Sequence, residues 1–156
     1  MKGNQKVIDT LNKLLTNELS AADQYFIHAR MYEDWGLNKL FERIKHESEE
    51  ELEHATALVQ RILFLEGTPD VASREALNIG KDVASMLSSD LAIEYDVGKQ
   101  LKEAIALCEV EKDFQTREIL EVLLKDTEED HTYWLEQQLG LIDKVGIQNY
   151  LQTQMS

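Results

Sequence analysis

Two short stretches, Glu51-Leu52-Glu53-His54 and Glu128-Glu129-Asp130-His131, decide how the rest of the chain reads. Each sets a glutamate and a histidine three positions apart, which on an α-helix puts both on one face. Apolar residues recur around both stretches with a period near 3.6. The stripe through the first is Leu40, Ile44, Glu47, Glu51, His54, Ala55, Leu58, Ile62 and Leu65. Through the second it is Phe114, Arg117, Leu120, Leu124, Glu128, His131 and Leu135. Two further segments carry the same pattern: Leu11, Leu14, Leu15, Glu18, Ala22, Tyr25 and Ala29, then Val83, Leu87, Asp90, Glu94, Val97, Leu101 and Ile105. Every helix thus holds a glutamate in the middle of its own apolar stripe, an error of binary patterning unless the carboxylate serves something.

A lone buried carboxylate is strongly disfavoured, and four converging ones would also repel each other. Two divalent cations would set four positive charges against the four negative ones. The intervals support that reading, since Glu18 precedes Glu51 by 33 residues and Glu94 precedes Glu128 by 34. The chain therefore repeats one theme, a hairpin offering a glutamate and then Glu-x-x-His. One such motif in so acidic a chain carries little weight, but two at matching intervals are specific to di-metal sites in helical bundles. The alternative is that Glu18 and Glu94 lie off the core axis and hydrogen-bond locally.

The connections set the topology. The pattern predicts helices over about 6–34, 38–66, 82–111 and 113–139, with a short fifth over 147–154, all in one domain spanning 1–156. Gly36 suits a left-handed cap after the first helix, Gly67-Thr68-Pro69 stops the second, Asp82 caps the third, and Gly140 ends the fourth. The first and third links are a few residues long, so each joins an antiparallel pair. The middle link, Gly67 to Lys81, reaches roughly 50 Å at about 3.3 Å per residue, the length of one of these helices. A crossover of that reach leaves the second and third helices parallel, so the expected fold is an all-α four-helix bundle with one long crossover.

Composition agrees. The 156 residues include one proline, Pro69, and seven glycines, a balance that favours long helices. The formal charge of −14 argues against nucleic acid, which needs a positive surface. Cys108 is the only cysteine, which excludes an internal disulfide and suits a reducing compartment. No apolar run has the length of a membrane span and the N-terminus lacks a signal-peptide pattern, so the expected location is cytoplasmic.

The chain resembles the bacterioferritins and related bacterial ferritins over essentially its whole length. The resemblance is carried by Asn17-Glu18-Leu19, Asp23 to Met31, His46-Glu47-Ser48, Arg61 to Gly67, Ser89 to Glu94, His131 to Glu136 and Gln148 to Gln152. It implies a ferritin-like fold and a di-iron centre ligated by Glu18, Glu51, His54, Glu94, Glu128 and His131. It also implies a hollow shell of 24 copies that oxidises Fe²⁺ with O₂ or H₂O₂ and stores a ferric mineral, with a ferredoxin-type reductase as a partner for iron release. His46 and Glu50 resemble an accessory iron site on the cavity wall, although a histidine among solvated acids explains them equally well. Tyr25 lies two turns from Glu18 and resembles a tyrosine that donates an electron to the metals, against the plainer role of packing. His28 has no ligand spacing and is expected at a surface or subunit contact, and Cys108 is expected as a small core residue.

One departure matters. The family's haem is held between subunits by a methionine directly after the glutamate of the first Glu-x-x-His, and that position is Leu52. Leucine has no sulfur to offer iron, so a shell of this chain alone is expected to bind no bis-methionine haem. Met31 and Met86 are placed by the resemblance near the same interface. The uncharged Gln148, Asn149 and Gln152 of the fifth segment would suit a channel lining between symmetric copies. Two other functions share the fold: the ferroxidase subunit of a mixed shell with a haem-binding partner, and a di-iron enzyme activating oxygen or peroxide for an organic substrate. The chain has no spare length for a substrate domain.

Overall fold

A computed structural model describes residues 1–156, and every regular element in it is helical. Helix α1 spans Gln5–Asp34, α2 Asn38–Phe64 and α3 Val83–Val110. The fourth helix of the bundle is continuous but not uniform: α4, Phe114–Asp126, passes through a π-helical turn at Thr127–Thr132 into α5, Tyr133–Val145. A short α6, Ile147–Thr153, completes the chain. This is the four-helix bundle with a short C-terminal helix that the periodicity predicts, and no helix is long and apolar enough to cross a membrane.

Local chemistry explains most helix ends. The Asn4 side chain accepts hydrogen bonds from the Lys6 and Val7 amides, and the Asp82 carboxylate accepts from Ser85 while the Ser85 hydroxyl returns the favour. Gly36 takes the left-handed conformation (φ 77°) after α1. After α2 that conformation falls on Glu66 (φ 62°), and Gly67 is needed for a different reason. A Cβ on Gly67 would come within 2.7 Å of Ile8 Cγ2. The helix does not stop at Gly140, contrary to expectation. Glycine weakens a helix by only about 1 kcal/mol, while Leu135 and Gln138 keep the segment buried and Tyr150 donates a hydrogen bond back to Gln138. The chain leaves the helix at Gly146 (φ 84°).

The crossover from Leu65 to Asp82 runs along α1. Asn12 holds Thr68 and Asp70, Ser20 accepts from the Glu75 amide, Gln24 from Asn78 and His28 from Gly80. The contacts advance along both segments together, so the loop climbs from the start of α1 to its far end. There α3 begins beside the start of α2, which makes α2 and α3 parallel. His28 is therefore no surface residue, as its isolation in sequence suggested, but fully buried. Its Nδ1 donates to Asp90 at 2.9 Å while Nε2 accepts from Gly80. Burial holds the Asp90 carboxyl above the usual range, against the pull of His28 and Gln24.

Two apolar clusters form the core. One gathers Leu11, Leu15, Leu58, Ile62, Leu101 and Leu120 with their neighbours, and Cys108 packs there as a small core residue. The other gathers Tyr25, Tyr32, Leu40, Ile44, Met86 and Leu87. Met86 is fully buried inside the subunit, which removes it from the interface where a haem would lie. Between the clusters runs a belt of buried charged side chains.

Candidate metal centre

Every main helix contributes to that belt. Glu18 comes from α1, Glu47, Glu51 and His54 from α2, Glu94 from α3 and His131 from the π-turn, each at most 6 % exposed. Two groups have ligand atoms close enough to share an ion: Glu18, Glu51 and His54, and Glu51, Glu94 and His131. Glu51 belongs to both. Its Oε1 lies 3.0 Å from His131 Nδ1 and its Oε2 lies 3.5 Å from His54 Nδ1. The two imidazoles stack with ring centres 5.7 Å apart.

Glu18 Oε1, Glu51 Oε2 and Glu94 Oε2 are buried with no hydrogen-bond partner. Orphaned carboxylate oxygens are costly in a protein interior, at about 1–3 kcal/mol each or more when charged. Three of them converging with two histidines fit a pair of divalent cations, since carboxylate oxygen and imidazole nitrogen suit such ions.

Proton positions follow from the same crowding. Burial pushes the Glu18 carboxyl well above its usual range, and the neighbouring Glu51 charge pushes the same way. For His54, burial disfavours the charged ring, but the hydrogen bonds and charges of Glu18 and Glu51 outweigh it and hold its pKa up at about 11. His131 is raised by the same contest, with Glu47, Glu51 and Glu94 overcoming its burial. Both rings thus carry protons that a cation would displace. The Tyr25 hydroxyl donates to Glu94 Oε1 at 2.5 Å, and burial followed by the Glu94 charge keeps the phenol well above its usual pKa.

Glu128 stands apart from these two groups. Its side chain is about half exposed and pairs with Lys102 at 3.0 Å. The buried face of the helix runs through Thr116, Leu120, Leu123 and Thr127 to His131, so Thr127 takes the inward position and Glu128 turns outward. Phe114 at 47 % exposure and the part-buried Arg117 leave the predicted stripe for the same reason. His131, four residues after Thr127, lies on the same inner face.

Asp126 and Asp130, which sequence reasoning passed over, lie on the other side of His131 beside Glu47 and Glu50. His131 Nε2 bonds Glu50 at 2.8 Å and lies 2.6 Å from Glu47, and these form a third acidic group with Asp130. His54 Nε2 likewise meets Asp126 at 2.5 Å. Arg43 balances this edge, reaching Glu47 at 2.6 Å and Asp130 at 2.8 Å. Asp126 and Asp130 gave no usable signal inside the run Asp126-Thr-Glu-Glu-Asp130, where most acids look like solvated surface. His46 is exposed and pairs with Glu50, which places the expected accessory pair at the outer edge of the same acidic group. Leu52 projects outward at 50 % exposure.

The bundle and its belt of carboxylates and histidines define a helical metal-site protein. The model of the ferritin-like domain matches residues 8–145. A bacterial ferritin of Synechocystis sp. is 58 % identical over 156 residues, covering all of both chains. A bacterial ferritin of Pseudomonas aeruginosa is 58 % identical over 155 residues, covering 99 % of this chain and all of the relative. A bacterioferritin of Mycolicibacterium paratuberculosis is 42 % identical over 150 residues, 96 % of this chain and 94 % of its own. The chain belongs to the ferritin family, whose role is iron storage by assemblies of like subunits.

Proposed function

We propose that the chain is a ferroxidase that binds two Fe²⁺ ions as substrate, oxidises them and passes the product into a hollow shell of 24 copies. The observation that carries this reading is Glu51, one carboxylate common to both ligand groups. A shared carboxylate keeps two ions adjacent, so that O₂ can take one electron from each and, with two protons, become H₂O₂. With H₂O₂ as oxidant, the same two electrons and two protons give two waters. In either case no one-electron radical need be released.

The roles of the side chains follow from their places. Glu18 and His54 would hold one ion, Glu94 and His131 the other, with Glu51 between them and Glu128 as the sixth ligand. Each imidazole gives up its proton as an ion arrives, so each Fe²⁺ adds one net positive charge rather than two. Tyr25, bonded to Glu94, lies where it could supply an electron to the oxidant. The acids beyond His131, Glu47, Glu50 and Asp130, with His46 at their edge, offer an exit path and an accessory iron site.

Leu52 supports a shell without bis-methionine haem. A mixed shell, in which a methionine-bearing subunit brings the haem, is the second reading, and it rests on the same residue. The test of the main reading is stopped-flow absorbance after adding Fe²⁺, with iron counted per assembled shell. His131→Ala or Glu18→Ala is expected to leave assembly intact and abolish the fast phase. Unchanged fast kinetics in either variant would show that the site is misassigned.

A further inference from the structure

A cavity of about 530 Å³ opens beside the centre, and its wall includes Glu94, Gly98, Lys102, Glu128 and Thr132. Glu94, Gly98 and Lys102 follow one another at four-residue steps on a single face of α3. They run from a buried carboxylate to an ammonium at the surface. Gly98 has nothing within 4 Å of where a Cβ would sit, so this wall is open between the two. Across the cavity, Glu128 pairs with Lys102 Nζ at 3.0 Å, and both side chains are about half exposed. Three residues on, His131 is buried against Glu51 and Glu94.

We propose that Lys102 is a positioning residue that sets which of two partners the Glu128 carboxylate takes: the Lys102 ammonium at the cavity rim, or a divalent cation held beside Glu94 and His131. This deepens the ferroxidase reading and rests on it. Three carboxylates, Glu18, Glu51 and Glu94, already face one another in the interior. A fourth turning inward is repelled by them and is drawn in only by added positive charge. Lys102 offers the outward alternative. Because the pair is exposed it is weak, which is what a reversible latch requires. Lys102 therefore sets the ease of entry and release rather than taking part in the oxidation itself.

The test is a Co²⁺ titration of the full, metal-stripped assembly followed by visible absorption, with release rates measured by chelator displacement. Co²⁺ is not oxidised here, so binding is read apart from activity. Lys102→Gln should bind Co²⁺ about two- to fivefold more tightly, the range expected for an exposed ion pair, and release it correspondingly more slowly. Lys102→Arg should restore the parent values. The difference between parent and Lys102→Gln should shrink as salt screens the pair. Glu128→Gln should weaken Co²⁺ binding, and adding Lys102→Gln to it should change nothing further. Equal or weaker binding in Lys102→Gln, with Glu128→Gln still impaired, overturns the latch and leaves the ferroxidase site standing. Parent-like binding in Glu128→Gln overturns the ligand role of Glu128 and the latch with it.

Discussion

Replacing Glu51 by glutamine keeps the shape of the side chain and removes the one charge that both ligand groups share. Glu51 Oε1 sits 3.0 Å from His131 Nδ1 and Oε2 sits 3.5 Å from His54 Nδ1, so a single carboxylate faces both imidazoles. Each group of two glutamates and one histidine would fall to one carboxylate. Loss of a residue that merely supports a metal ligand typically costs 10–100-fold in affinity. A direct ligand should cost at least the upper figure, so the floor is about 100-fold, or roughly 2.7 kcal/mol, for each ion. Glu18→Gln touches one group only and should weaken one ion by that amount while leaving the other within a few-fold. In a Co²⁺ titration at concentrations that saturate the parent, two bound ions per chain should become one in Glu18→Gln and none in Glu51→Gln. If Glu51→Gln keeps even one ion at parental affinity, Glu51 does not bridge the two positions.

Neutralising the accessory pair, as His46→Ala with Glu50→Gln, should spare the first oxidation turnover and slow later mineral growth, read as iron incorporated per shell against time; equal growth rates would remove the accessory site. A homopolymer purified from haem-replete cells should show no Soret band of a bis-methionine haem, while Leu52→Met should gain one; a stoichiometric haem of that kind in the parent would contradict the reading of Leu52. Since His54 keeps its proton up to about pH 11, against about 6.5 in an unfolded chain, its contacts should stabilise the metal-stripped protein fully below about pH 6.5 and less as pH rises towards 11. Saturating Zn²⁺ replaces that proton and should flatten the decline, with protons released into a weakly buffered solution on binding; thermal melts across this range and a pH-stat titration check both.

Much of this protein is legible along the chain because helices are local. A period of 3.6 residues marks which side chains share a face, and the reach of the Gly67–Lys81 link leaves few topologies open. The glutamates at 18, 51 and 94 and the histidines at 54 and 131 could be chosen because each breaks an apolar stripe, and all five are buried in the belt. The phase of a stripe is a different matter. Stepping from Leu124 points to Glu128 and stepping from Leu123 points to Thr127, and in the fold Leu123 and Thr127 are buried while Glu128 turns outward to Lys102. Nor does periodicity say which element covers a face. His28 finds Asp90 across 62 residues, Glu128 finds Lys102 on a neighbouring helix, and Asp126 and Asp130 meet His54 and Arg43 from the far half of the chain. The sequence by itself determined the helices, the crossover and the carriers of charge, since these follow from short-range geometry. Only the tertiary structure decided which charges became partners, because the strength of a pairing depends on distance and burial, and both arise when separate helices meet.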